Sequence, residues 1–564
     1  MTDSFSRIAP FVVLTASLIL MLASATRAAA ADVSGAEAAA QSQRLETGRR
    51  MYREGILPSG EMMRATVGGD ISVTGEQVVC GACHRRSGMG ASEAQEVAPA
   101  VTGDLLYAPL RLPTSKPPEA PLIRPAYTDE TLKRAIRDGI DANGKAFGPF
   151  MPRYPLSDEE LDILIAYLKS LSASPAPGVT AQDIHFATIV ADSAPPASRK
   201  ALLDVMQAFF EQKNAETRHE SKRAAHAPWH KAWVFSPYRK WVLHVWELHG
   251  PRETWPEQLE AYYREQPVFA VLSGVAPGSW EPMHAFCEGE QIPCLFPTTD
   301  LPVIDEEAFY TLYLSQGVTL EAEALVQHLA DEDRLGKPLV QVFDAADPRG
   351  GVAADALRRA VTERGGQVTD FAVEAKVAPG DSFWQAALEA ARETVLVLWL
   401  PGSECAPVWD RSAAGGQPAQ IYLSQTLYAS EPAEVPATLR ERVYLTYPYE
   451  LPSRLPRLLA RSTGWMRVKK IYAPDQQQVQ ANAYFAMKMA GGALANIRGF
   501  FNRDYFLESI EHMVDTASYT SVYPHVSLAP NQRFVSKGCY IAQLSEDGSG
   551  EPVAVSGWLI PGLK

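Results

Sequence analysis

Basic residues are in short supply. Lys and Arg number 52 against 66 Asp and Glu, a net charge of −14 over 564 residues, and they gather in no block. Gripping a phosphate backbone requires clustered cations, so the composition argues against a nucleic-acid partner. Charge-driven binding to a membrane surface is equally unsupported. Long apolar runs are missing beyond the N-terminus, where no stretch approaches the roughly 20 residues that a bilayer span needs. Catalytic signatures are absent too. No G-x-S-x-G, H-E-x-x-H, P-loop or G-x-G-x-x-G stands in a suitable context, which favours a carrier over an enzyme. His219, His226, His230, His244 and His249 are spaced by 7, 4, 14 and 5 residues, matching no compact ligand set, and Pro228 breaks any shared helical face for the middle pair.

What is present divides the chain. An apolar content of 46% with 21% charge is that of globular protein, and the length implies two to four domains. Arg7, the apolar run from Ile8 to Ala23 and the small residues Ala28 to Ala31 have the layout of a secretory signal over residues 1–31. An uncleaved anchor is the alternative, but the run is short for it and the small-residue tail favours cleavage. The mature chain is then a soluble periplasmic protein with no membrane span. Residues 32–172 read as a first domain, with a helix-poor start, a Cys-containing centre and a strongly helical end. LSASPAPGVTAQ (171–182) reads as a linker, assigned to 173–182.

From 183 to 564, β-type runs alternate with amphipathic helical segments. The runs are IHFATIVA, WVLHVWEL, PVFAVLSGV, PLVQVF, TVLVLWL and QIYLS. Unbroken Val/Ile/Leu strands between helices predict parallel sheets covered on both faces, and the length predicts two α/β lobes.

The sharpest motif is VVCGACHRRSGMG, residues 78 to 90. In C-x-x-C-H two thiols three positions apart form thioethers to the two vinyl groups of one porphyrin, and the next residue, His84, reaches the iron. A zinc half-site would want a second ligand pair nearby, and a redox C-x-x-C would open a helix after a strand in a βαβ unit. Cys80, Cys83 and His84 are therefore read as the attachment site of one covalent haem c. Met89 and Met151 are the candidate sixth ligands. Met89 lies five residues beyond His84, too near to reach the opposite face. Met151 sits in GPFMPRYPLSDEELDILIAYLKSL, in a loop held extended by Pro149 and Pro152 ahead of a helix that Ser157 and Glu160 cap as a box. Cys287 and Cys294, close together in FCEGEQIPC, are a possible disulfide in an oxidising compartment, and Cys405 and Cys539 read as buried apolar residues.

TGRRMYREGILPSG, CGACHRRSGMG, YTDETLKRAIRDGIDANGKAFGPFMPRY and LSDEELDILIAYLKSL together resemble class I cytochrome c domains, particularly those associated with dehydrogenases. The resemblance implies a mainly α fold with His84 and Met151 as axial ligands; Arg124, Tyr127 and Arg153 are candidates for the haem propionates or for ordinary surface roles. Residues 183–564 resemble type I periplasmic binding proteins of ABC transporters, through GSWEPMHAFCEGEQIPCLFP, FYTLYLSQGVTLEAEALVQHL, KPLVQVFDAADPRGG and YPHVSLAPNQRFVSKGCYIAQL. That resemblance implies two lobes, a hinge and a ligand cleft, with Ser279 as a contact or simply an N-cap. The Trp- and Tyr-rich APWHKAWVFSPYRKWVLHVWELHG is either a docking face or a buried strand with its loop.

Two functions follow. The first is a periplasmic electron carrier between a dehydrogenase and a downstream cytochrome or oxidase, whose second region docks a partner or binds a small molecule. The other is a solute-binding or sensing protein with an accessory haem. A haem enzyme of peroxidase type would need an open sixth position and has less support.

Overall fold

The computed structural model describes residues 38–562 except 94–95, 112–121, 218–238, 375–378, 413–417, 498–499, 517–520, 530–531 and 546–549. The expected signal, His219, His226, His230 and the first half of the Trp-rich stretch lie outside the described residues. The chain divides into two units, Met1–Ser174 and Pro175–Lys564, with the boundary inside the expected linker. Among the described residues no helix is long and apolar enough to cross a membrane.

The first unit opens with a helix, α1, over residues 38–54, where the sequence had suggested a helix-poor start. Its ion pairs Glu46–Arg49 at 2.7 Å and Arg50–Glu54 at 3.3 Å have helical spacing, a support easily overlooked in an alanine-rich run. There follow β1 (Arg64–Val67) and β2 (Ile71–Thr74), the short α2 (Cys80–His84), β3 (Ala91–Glu93) and β4 (Glu96–Ala98), α3 (Gly103–Leu106), and β5 (Leu110–Arg111) with β6 (Leu122–Arg124). Helices α4 (Asp129–Asp138) and α5 (Asp158–Ser170) complete the unit. The three strand pairs are antiparallel two-stranded sheets that hydrophobic periodicity did not reveal. Thr128 and Ser157 begin α4 and α5 with complete capping boxes, as expected for Ser157, each cap stabilising its helix by about 1 kcal/mol. Leu161, Leu164, Ile165 and Leu168 of α5 are buried with Met51, Tyr52 and Leu132 in one core. Gly48 lets α1 meet α5: a Cβ there would lie 2.6 Å from Cβ of Tyr167.

The second unit contains two sheets. β7 (Asp183–Ala191), β8 (Lys240–Leu248), β9 (Ala270–Val275), β10 (Cys294–Leu295) and β11 (Thr311–Leu312) are parallel, in the order β8-β7-β9-β10-β11. Helices α6 (Pro196–Thr217), α7 (Trp255–Glu265) and α8 (Glu281–Gly289) connect them. Then α9 (Val318–Asp331) leads to β12 (Leu339–Asp344), α10 (Pro348–Glu363), β13 (Val368–Val373), α11 (Asp381–Ala390), β14 (Val395–Trp399), β15 (Gln420–Ser424) and β16 (Val443–Tyr447). These strands repeat the arrangement as β13-β12-β14-β15-β16, all parallel. The chain returns through α12 (Ala460–Lys469), α13 (Gln477–Asn496) and α14 (Arg503–Val514) to the first sheet's core, then adds β17 (Tyr540–Leu544) and β18 (Pro552–Ala554) antiparallel to the second sheet. The second sheet is thus mixed rather than purely parallel. Each sheet is covered on both faces by separate apolar clusters, as unbroken apolar strands require. The second half of the expected linker is not a free tether. Gly178 adopts φ +86°, and a Cβ there would stand 2.3 Å from the Val268–Phe269 backbone.

Glu321 of α9 is fully buried. It accepts from Thr446 Oγ1 at 2.6 Å and from the Thr426 amide at 3.2 Å, tying α9 to the ends of β15 and β16. Burial pushes its pKa from 4.5 up to about 7 despite these donors. A raised carboxyl pKa gives stability that is complete below the unfolded value and lost as pH rises through about 7. Glu321→Gln should therefore abolish about 2 kcal/mol of the loss of stability that the wild type shows between roughly pH 5 and pH 8, measured by denaturant unfolding at both.

Candidate functional site

The Cys80–His84 turn is anchored at both ends by buried tyrosines. Tyr154 Oη donates to the Val78 carbonyl and Tyr52 Oη to the Arg85 carbonyl, each at 2.8 Å. Arg85, at φ +64°, ends the helix immediately after the motif. Cys80 is half-buried and Cys83 exposed, three positions apart on one turn, while His84 is 7% exposed. His84 Nδ1 lies 2.8 Å from the Pro99 carbonyl. A carbonyl only accepts, so Nδ1 carries the proton and Nε2 keeps the lone pair with which imidazole binds metals. Burial lowers the His84 pKa, favouring that neutral form. The loop closes behind it through Gly90, whose amide donates to the His84 carbonyl at 3.0 Å. Gly90 has φ +80°, and a Cβ there would lie 2.2 Å from the Ala98 carbonyl oxygen and 2.9 Å from that of Pro99.

Met151 is half-buried against the core of the unit, in the loop between α4 and α5. Met89 belongs to His84's own tight loop, its amide bonded to Ser87 Oγ at 3.1 Å. The donor set is two thiols on one turn, an imidazole oriented by its outer hydrogen bond and a thioether on a separate loop. That chemistry fits a c-type haem. Arg124 donates to the carbonyls of Leu105, Leu106, Ala108 and Pro125, so its guanidinium is occupied with backbone.

In the second unit a small cavity is lined by residues at the carboxyl ends of β10 and β11 together with α13. Its polar lining includes Thr298, Thr299, Ser315, Gln478, Asn482 and Tyr523. Open α/β sheets present ligand-binding loops at such strand ends. The cavity has a volume of about 10 Å³, the room of one water. Asp300 also lines it and pairs at 3.4 Å with Arg349 of α10, which carries the second sheet's side of the unit. Asn482 is 1% exposed, donates to Thr298 Oγ1 at 3.4 Å, and has an Oδ1 without a partner. Ser279 does not line this cavity; its hydroxyl accepts the Glu281 amide at 3.1 Å at the start of α8. The cavity-lining threonines escaped the sequence reading, although CLFPTTD follows a strand as a polar turn should.

Cys287 and Cys294 are both fully buried with their thiols in contact, and they are unbridged here. Cys405 and Cys539 are fully buried as well. His185 and His244 stack on β7 and β8, with Nδ1 to Nε2 at 2.9 Å, and His249 faces Asp192 at 3.3 Å. Among the described residues no three His, Cys, Asp or Glu side chains gather as a metal site.

Residues 74–172 match the family model for cytochrome c, and this part of the chain is a cytochrome c domain. The rest is similar to solved binding proteins. A fatty acid ABC transporter substrate-binding protein from Thermomonospora curvata is 17% identical, with 69% of this chain and 95% of that chain covered at a TM-score of 0.45. A branched-chain amino acid ABC transporter protein from Thermus thermophilus with bound valine is 13% identical, covering 68% and 98% at 0.48. A leucine-binding protein from Thermotoga maritima is 12% identical, covering 67% and 99% at 0.46. Comparison with curated proteins gives no match.

Gly90→Ala should lower the haem bound per polypeptide, because its methyl displaces the carbonyl that orients His84. Gly60→Ala is the control: it shares a positive φ but would meet nothing within 4 Å. Equal haem content in the two variants, measured as the pyridine haemochrome, would refute this role of Gly90.

Proposed function

We propose that the chain is an exported electron carrier with one covalent haem c, joined at Cys80 and Cys83 and ligated by His84 and Met151. It serves between a periplasmic dehydrogenase and a downstream cytochrome or oxidase. The observation that carries this reading is the buried His84 ring, fixed by Pro99 within a C-x-x-C-H turn whose flanking carbonyls are both held. Haem, when bound, supplies reversible one-electron chemistry. The residues of this chain orient the imidazole, keep it neutral and present a thioether from a second loop, which is the ligand pair of an electron-transfer centre rather than of an open catalytic one. Air-oxidised protein should show the weak red-region band of a methionine-ligated ferric haem. Met151→Ala should abolish it and lower the potential by on the order of 100 mV, within the ~0.8 V range that axial ligands span. A high-spin spectrum in the wild type would overturn the Met151 assignment.

The second unit serves, in this proposal, as a two-lobed solute-binding module that docks a partner or binds a small polar molecule between its sheets. The partnerless Oδ1 of Asn482 beside Thr298 favours ligand binding, since a buried acceptor left unsatisfied costs about 1–3 kcal/mol that a donor would recover. Valine and related small solutes should raise the melting temperature saturably, and Asn482→Leu should cancel the shift. If no solute in such a panel does so, the docking role stands instead. Export to an oxidising compartment also favours closure of the Cys287–Cys294 disulfide, whose partners already meet inside the core.

A further inference from the structure

The loop carrying Met151 has little to hold it in place by itself. Pro149 and Pro152 lack amide donors, Phe150 is 67% exposed, and Met151 contributes only a thioether and its backbone. Two neighbours supply the missing restraint. From the β1–β2 side, the Thr66 amide donates to the Arg153 carbonyl and the Arg153 amide to the Thr66 carbonyl, both at 2.9 Å. The Gly68 amide reaches Pro149 O at 3.3 Å. The backbone around Met151 is thus laid alongside β1 like a short additional strand.

The second restraint is the Arg153 side chain. Its Nη1 donates to the carbonyl of Met151 itself, and its Nη2 to those of Phe147 at 3.3 Å and Gly148 at 3.5 Å. The guanidinium also lies 6.0 Å from the centre of the Phe147 ring. One rigid planar fork therefore gathers three carbonyls of one loop, a geometry that a lysine ammonium does not reproduce. Room for it comes from Gly139, the left-handed C-cap of α4 at φ +68°. A Cβ at 139 would fall 1.8 Å from Arg153 Nε and 2.0 Å from Cζ. Gly139 also anchors the loop directly, accepting the Phe147 amide at 2.8 Å. A haem propionate is thus not needed to explain the Arg153 charge.

Resting on the reading of Met151 as axial ligand, we infer that Arg153 is a positioning residue: with Thr66 and Gly139 it clamps the Met151 loop and so sets how firmly the thioether occupies the sixth position. A loosened clamp leaves the haem attached and the fold intact, but raises the fraction of molecules whose sixth position is open to an added ligand. Outer-shell partners of ligating residues commonly contribute about 10–100-fold to metal-site affinity.

The test uses full-length, haem-loaded ferric protein titrated with imidazole, with the red-region band and the reduction potential followed in parallel. Arg153→Gln and Gly139→Ala should each bind imidazole about tenfold more tightly and lose band intensity, since apparent affinity scales with the open fraction. Arg153→Lys should fall between them and the wild type. Haem content and far-ultraviolet circular dichroism should stay unchanged, and if Arg153→Gln does not accumulate, Arg153→Lys decides. Unchanged imidazole affinity and band in these variants, alongside a wild-type band that Met151→Ala abolishes, would overturn the clamp alone. Absence of the band in the wild type would overturn the Met151 reading beneath it.

Discussion

A single helical turn gains almost nothing from its own hydrogen bonds, because nucleation fixes several residues in exchange for one bond. To serve as proposed, the turn from Cys80 to His84 has nevertheless to present two sulfurs and an imidazole to one planar ring. Its geometry is therefore imposed from outside. Tyr154 and Tyr52 hold the carbonyls on either side, Pro99 fixes the ring, and Gly90 allows the chain to fold back closely enough for Pro99 to reach it. The tyrosines in turn are placed by the α1–α5 core, in which Gly48 permits the close crossing. The apolar packing of the first unit is thus the means by which a five-residue helix acquires a defined shape.

The second unit follows a different logic. Both sheets place their first strand second in order, which leaves loops free at the carboxyl ends of neighbouring strands. Around those ends the core turns polar. Glu321 accepts from Thr426 and Thr446, while Asn482 and Thr298 pair beside the cavity. Two further charged groups are satisfied by main-chain partners. Arg503, 8% exposed, spends its guanidinium on carbonyls of Val268, Phe269, Glu290 and Gln291, and Glu288 accepts the amides of Phe309, Tyr310 and Thr311. Such pairings convert potentially costly burial into fixed loop geometry.

Most of the regular structure was legible in the sequence. All six predicted β-type runs contain strands, and the Ser157 box opens a helix whose predicted stripe is buried. The cytochrome c family of residues 74–172 was legible because the C-x-x-C-H motif needs only adjacent residues. What escaped depends on partners distant in sequence. Residues 38–54 lack a strong apolar face and become helical with ion pairs and a glycine contact 119 positions away, at Tyr167. The small hairpins are too short for period-two alternation to register. The cavity assembles Thr298, Asn482 and Tyr523 from segments far apart, so no local pattern marks it. Arg153 read as a haem-propionate partner or an ordinary surface cation, because its acceptors are main-chain carbonyls, which sequence does not display.

The one-water volume of the cavity has a kinetic meaning. If the second unit binds a solute of amino-acid size there, the walls would have to part first, and the Asp300–Arg349 pair at 3.4 Å stands beside the cavity where such a motion would act. Uptake would then be gated by an internal motion rather than by diffusion to the mouth, and an observed dissociation constant would contain the free energy of opening as well as that of contact. Weak apparent binding would in that case reflect a scarce receptive state, and chemical fit would be judged only after that scarcity had been factored out.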